Sequence, residues 1–328
     1  MVRETIVATL AFTLICKYVV VVYNRNIVRN LIRYINDDYE ISVHFPEEEK
    51  EIIDRYIKKS KTVLKFWILS TVPTFFVFML TSFGCTFYYY CRGTVKFVPL
   101  LEIMLPPAME QHKNDLLGYM IINTLESVFA VYATFIYNGF EPLLPLFLLH
   151  CCGQLEILSL RMKNIFKQTE NPEEICEKIK EINIKLQSIY EFVQDVQITF
   201  LPLSEFTMKT TTFLLPFTVF EVVQSLRRNE INIEFLSLLS GAKCQFFMPC
   251  YYSDFLMEMS AYMRQEIYSC GWENHSNIQI RKSVLFMLTR TIKPVVLNTF
   301  FYPLSLQTYA EMARQSYAIY SILNAVWV

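Results

Sequence analysis

Long apolar runs alternate with charged stretches along this chain. A helix that crosses a bilayer needs about 20 mostly apolar residues, and six stretches qualify: Thr5 to Tyr23, Val63 to Tyr90, Leu116 to His150, Thr199 to Val223, Ile231 to Leu256 and Pro294 to Val328. The first is interrupted only by Lys17, and the second contains Pro73. The fourth and fifth are the most polar, with Glu205, Lys209, Glu221, Glu234 and Lys243. Backbone in lipid must pair internally, which here favours helices over a barrel. The expected fold is an all-α membrane protein: a helical bundle of six spans with long cytoplasmic helix extensions. The first run has no small-x-small cleavage site and is followed by basic, helix-like sequence, so it reads as a span and not as a signal peptide.

The polar stretches have a pattern of their own. In 171–196, Ile175, Ile179, Ile182, Leu186, Ile189, Val193 and Val196 recur at alternating spacings of four and three, with Glu and Lys between them. That is a heptad seam for packing against other helices; an amphipathic helix lying on the membrane surface has the same pattern. Asn171-Pro172-Glu173-Glu174 marks its start, with an N-cap, a proline at the first helical position and acids in the first turn. In the last run, Gln307, Thr308, Glu311, Arg314, Gln315, Ser316 and Asn324 interrupt the apolar residues. Polar groups at membrane depth mark a buried interface or an ion path. Glu311 and Arg314, three apart, can pair on one face. Pro294 and Pro303 each break a continuous helix and are expected to divide the segment into a short inner helix and a longer spanning one.

Composition agrees with the pattern: 53% of the 328 residues are hydrophobic, with 27 Phe and 20 Tyr, and mean hydropathy is +0.28. The formal net charge of −1 suggests no nucleic-acid partner. The distribution of charge sets the orientation. Segments 24–65, 151–198 and 257–293 hold nine, six and five of the 30 Lys and Arg, which assigns these three loops to the cytoplasm and both termini to the outside. The sequon Asn274-His275-Ser276 then lies inside and should stay unglycosylated.

Candidate chemistry is sparse. His44, His112, His150 and His275 are scattered without metal-ligand spacing and read as surface or interface residues. The nine cysteines include no CxxC, Cys85 and Cys91 sit at one helix end, and no phosphate loop or nucleophile elbow is present. No enzyme and no cofactor is expected.

The last quarter is the most specific. Ala261-Tyr262 through Tyr268 to Trp272, Arg290-Thr291-Ile292-Lys293-Pro294, Pro303-Leu304-Ser305-Leu306 and the terminal helix Gln307 to Val326 together resemble the C-terminal signature of the insect odorant receptors. The likeness is specific from about Tyr251 onward; earlier it rests on layout. That family consists of seven-helix, ligand-gated cation channels, so the resemblance implies an odorant-binding tuning subunit that joins co-receptor subunits in a heterotetramer in the plasma membrane. It implies an internal N-terminus and an external C-terminus. The N-terminus found by charge counting disagrees, and Thr5 to Tyr23 is similar to the family's second span, so the chain is expected to lack the first.

The resemblance implies a division into an outer ligand-binding part (1–150), a cytoplasmic amphipathic helix (151–198), two further spans (199–256), and an anchor helix with a split pore-lining span (257–328). It places a pocket for a small volatile organic ligand in the outer half of the bundle. Phe76, Phe83, Tyr119 and Asn123 are the candidate contacts. Ile322 and Val326 match its hydrophobic gate, where a ring of apolar residues blocks ions by dewetting. The alternatives are a gustatory-type or G-protein-coupled receptor, or a transporter. A G-protein-coupled receptor needs a cytoplasmic C-terminal tail, and a transporter needs internal repeats, of which the sequence shows none.

Overall fold

The longest helix starts where the sequence marks it. Asn171 accepts a hydrogen bond from the Glu173 N–H at 3.1 Å, Pro172 takes the first helical position, and Glu173 and Glu174 face the positive end of the helix dipole. In the computed structural model, which describes residues 2–94, 97–100, 115–229 and 233–327, this is the sixth of nine α-helices among the described residues. They are α1 Val2–Tyr23, α2 Arg25–Ser42, α3 Glu47–Cys91, α4 Leu116–Phe140, α5 Leu143–Gln168, α6 Pro172–Arg227, α7 Ile233–Ser269, α8 Ile278–Arg290 and α9 Leu306–Trp327. His112 lies outside the described residues.

At about 1.5 Å per residue, the 45-residue α3 and the 56-residue α6 run about 68 and 84 Å. A bilayer core is about 30 Å thick. Both helices therefore carry a span and a long extension without a break, joining segments that the hydropathy pattern separates. Conversely, the single apolar run Leu116 to His150 is two helices. α4 ends at Phe140, and Pro142, which lacks an N–H, precedes α5.

Polarity inverts along the molecule. Around the lower part of α3, α5, the first half of α6, the second half of α7 and α8, apolar side chains point inward. The heptad residues Ile175, Ile179, Ile182, Leu186, Ile189, Val193 and Val196 are all buried, as are Leu155, Leu158, Met263, Ile280 and Val284. The seam is thus a core within one chain, which sets aside the membrane-surface alternative. On α1, α4 and the later part of α3, by contrast, Phe12, Val19, Leu80, Leu117, Ile121 and Phe135 are exposed. Three helical stretches, Glu4–Tyr23, Glu47–Cys91 and Leu116–Gln168, are long and apolar enough to cross a membrane. One end has an oil-drop interior and the other an oily exterior, as a water-facing bundle attached to a lipid-facing one requires.

Polar straps hold the water-facing bundle. Arg161 forms a two-pronged bond to Glu49 at 2.9 and 2.7 Å, and Tyr56 donates to Glu156 at 2.9 Å, tying α3 to α5. The ring of Tyr56 lies against Gly153, where an added Cβ would stand 3.2 Å from it. His150 is buried, not at the surface: its Nε2 is 3.0 Å from Asp38, which also accepts from Lys185. Burial pulls the Asp38 carboxyl up, but the hydrogen bonds and charges of His150 and Lys185 outweigh that and hold it below the usual value.

The segment between Pro294 and Pro303 also departs from expectation. It is a tight turn: Asn298 and Pro303 form an isolated antiparallel bridge, Leu304 N–H donates to Leu297 O at 2.8 Å, and the Thr299 hydroxyl takes the turn's N–H groups. The inner helix is α8, upstream of Pro294. Glu205 on α6 accepts from the Phe300 N–H at 3.2 Å and pins this turn to the bundle.

Candidate functional site

Five helices, α1, α3, α4, α6 and α7, together with Leu100, line a cavity of about 220 Å³. Leu10 and Leu14 on α1 and Phe75 and Phe78 on α3 give it a mostly apolar wall, the usual lining of a small-molecule site. Five of the hydroxyls in that wall bond within their own helices. Thr71, Thr74, Thr134 and Thr218 each donate to the carbonyl four residues back at 2.8 Å, and Ser237 to the carbonyl of Glu234 at 2.7 Å. Such back-bonding lets a hydroxyl sit in apolar surroundings without an orphaned donor.

A buried ion pair stands beside the cavity. Lys17 of α1, 0% exposed, reaches Glu141 at the junction of α4 and α5. Gln245 of α7 donates its Nε2 to the same carboxylate at 3.1 Å. The Lys17 ammonium also lies 4.2 Å from the centroid of the Tyr137 ring. Tyr137 and Gln245 both line the cavity. Gln245 and Glu141 line a second, smaller space of about 30 Å³ next to Leu304. Burying two charges is costly, and each needs further partners to hold; the ring and the amide supply them. The sequence carries a signal for this pair: Lys17 interrupts one apolar run and Glu141 another, with opposite charge.

The four contact candidates lie elsewhere. Phe76 and Phe83 are 55% and 54% exposed on the outer face of α3, although Phe76 packs edge-on against the cavity residue Phe75 with centroids 5.6 Å apart. Asn123 accepts from the Ser82 hydroxyl at 3.3 Å, and the Tyr119 hydroxyl lies 3.3 Å from that of Thr86. Both are buried in the seam of α3 and α4. None of the four lines the cavity.

The last helix presents two faces. Thr308, Met312 and Ser316 are buried, and the Ser316 hydroxyl donates to the Thr212 carbonyl on α6 at 3.1 Å. Gln307, Glu311, Arg314 and Gln315 face outward. Glu311 accepts from Gln307 at 3.3 Å, and no ion pair joins it to Arg314. Ile322 and Val326 are 65% and 73% exposed. Among the described residues no group of His, Cys, Asp and Glu is placed to hold a metal.

Known proteins share both sequence and architecture with this chain. Residues 1–317 match the family model described as 7tm Odorant receptor. Odorant receptor 13a of Drosophila melanogaster is 24% identical over 283 residues, which cover 77% of this chain and 66% of the relative; the match thus spans just under two thirds of that relative's length. The olfactory receptor OR5 of Machilis hrabei in complex with eugenol superposes with a TM-score of 0.83 at 14% identity, over 99% of this chain and 81% of the other. A second structure of that receptor gives 0.76, also at 14% identity, over 97% and 79%. At this identity the likeness is one of fold.

Proposed function

Since the chain belongs to the 7tm odorant receptor family, a group of multi-pass membrane receptors and not of enzymes, we propose that it is the odorant-binding, tuning subunit of a heteromeric, nonselective cation channel. The gustatory-type, G-protein-coupled and transporter alternatives fall away with the family. The observation that carries the reading is the cavity of about 220 Å³ lined by helices that are far apart along the chain, from α1 to α7. A volatile molecule of odorant size fits such a space, and the Machilis receptor of the same fold is in complex with eugenol. Of the four expected contacts, Phe76 borders the chamber through Phe75, while Phe83, Tyr119 and Asn123 stand away from it.

The outward polar face of α9 supports the channel part. Glu311, Arg314 and Gln315 cannot sit against lipid cheaply, so this face turns to partner subunits or water in an assembled pore. Ile322 and Val326 on the same helix are the proposed gate. Co-receptor subunits complete the heterotetramer in the plasma membrane, with loops 24–65, 151–198 and 257–293 cytoplasmic and the C-terminus outside. The inner bundle, including 151–198 and the start of 257–328, anchors the subunits, while 1–150 and 199–256 supply the ligand-bearing spans.

Recording from cells that express this chain with the family's co-receptor tests the proposal. Volatile organic compounds should evoke inward current in the pair and none in cells with the co-receptor alone. A complex that forms at the cell surface yet stays silent to compounds that bind the chain sinks the channel-subunit reading.

A further inference from the structure

Hydrogen-bond accounting around the cavity narrows the chemistry of its ligand. The amide of Gln245 is oriented by Glu141: an ionised carboxylate only accepts, so Nε2 must face it. The ion pair with Lys17 holds that carboxylate in place. The carbonyl oxygen Oε1 is thereby turned away, and it has no hydrogen-bond partner among the described residues while remaining accessible. Gln245 borders two spaces. The smaller, of about 30 Å³, has room for roughly two waters; the larger, which Gln245 also lines, is the one with room for an organic ligand.

Five hydroxyls of the wall carry no opposing polarity. The protons of Thr74, Thr134, Thr218 and Ser237 are committed to backbone carbonyls and that of Thr71 to the Trp67 carbonyl or to Asn138 Oδ1, leaving only lone pairs toward the cavity. The Tyr137 hydroxyl can rotate and serve as donor or acceptor. The indole N–H of Trp67 lacks an acceptor but is enclosed by protein and out of a ligand's reach. Ser70 and Glu234 also stand in the wall; Gln245 is the lining group whose polarity is fixed by an identified partner, and it presents an acceptor.

We infer that the cavity selects a small, uncharged ligand bearing a hydroxyl, an alcohol or a phenol, whose O–H donates to Gln245 Oε1, with Lys17 and Glu141 as positioning residues. The inference rests on the cavity being the ligand chamber proposed above. A buried acceptor left unpaired by a ligand without a donor disfavours that ligand. Ethers, ketones and esters of matched size are therefore poor ligands.

Displacement of the fluorescent probe 1-aminoanthracene from the purified full chain in detergent tests this, using matched pairs of primary alcohol and methyl ether, and of phenol and anisole. The hydroxyl member should displace the probe at a roughly tenfold lower concentration. Gln245→Leu should bring the two members together while ether binding is kept. Lys17→Met with Glu141→Gln, which removes both charges at once, frees the amide to turn over and should shrink the ratio without abolishing binding. Equal binding of the two members, a ratio that survives Gln245→Leu, or no displacement by any pair overturns the inference. Binding with the expected ratio but no current from the co-expressed channel leaves it standing and counts against the channel reading instead.

Discussion

A lysine or glutamate left alone in hydrocarbon costs several kcal/mol, so Lys17 and Glu141 depend on each other. Lys17→Met alone should destabilise the outer bundle by about 3 kcal/mol, because it strands a buried carboxylate. The double change with Glu141→Gln should recover most of that loss, and thermal unfolding in detergent reads both. A single variant as stable as the native chain would show that the pair is not dry. Asp38 gives the counterpart in the inner bundle. Its folded pKa is depressed by His150 and Lys185, so its stabilisation is present above the ordinary carboxylate pKa of about 4 and is lost as pH falls through the lower folded value. Asp38→Asn should cost about 3 kcal/mol at neutral pH. Unfolding measured from pH 7 down to pH 3 should show the variant and native curves converging at the acid end.

At the scale of elements, close approach between helices depends on a few small residues and straps. Gly153 lets α5 lie against the Tyr56 ring of α3. Gly153→Leu must displace that ring and break the bond from Tyr56 to Glu156, at a cost of about 1 to 3 kcal/mol. Unfolding of the variant should occur at lower temperature; an unchanged midpoint would mean that α3 shifts freely on α5. Such contacts are not readable from spacing, because Gly153 is remote in sequence from its neighbour. The helix starts at Asn171 and Pro172 are readable, since a cap acts within three residues. The break at Pro142 and the turn of residues 294 to 303 are partly readable: proline forbids a continued helix, but the hydrogen bonds that shape the turn come from Thr299 and from Glu205 on α6.

Across the whole molecule, the water-facing bundle and the lipid-facing one share α3, α6 and α7, so a strain at the cavity has continuous helices along which to act. The exposed end of α9 is the proposed constriction. Ile322→Ser or Val326→Ser should raise the ligand-free current of the co-expressed channel severalfold, because a polar ring stays wet. Unchanged basal current in both variants would remove these residues from the gate. Orientation has its own test at Asn274. The cytoplasmic placement of 257–293 requires that no glycosidase-sensitive mass shift exist, and a shift abolished by Asn274→Gln would invert the assignment.

The sequence by itself determined the class of the molecule. The apolar runs, the heptad of 175 to 196, the helix start at Asn171 and the signature from Tyr251 onward are local or periodic, and their meaning does not depend on what packs against them. Only the tertiary structure decided where the ligand chamber lies and which groups face it. Lys17, Glu141 and Gln245 are separated by more than 100 residues, and their buried network exists only where α1, α4 and α7 meet. Position along the helix is what separates Tyr119 and Asn123 from the cavity: each lies eleven residues, about three turns, before Ala130 and Thr134, which share their face of α4 and line it, and only packing shows at which level of a spanning helix an open space lies.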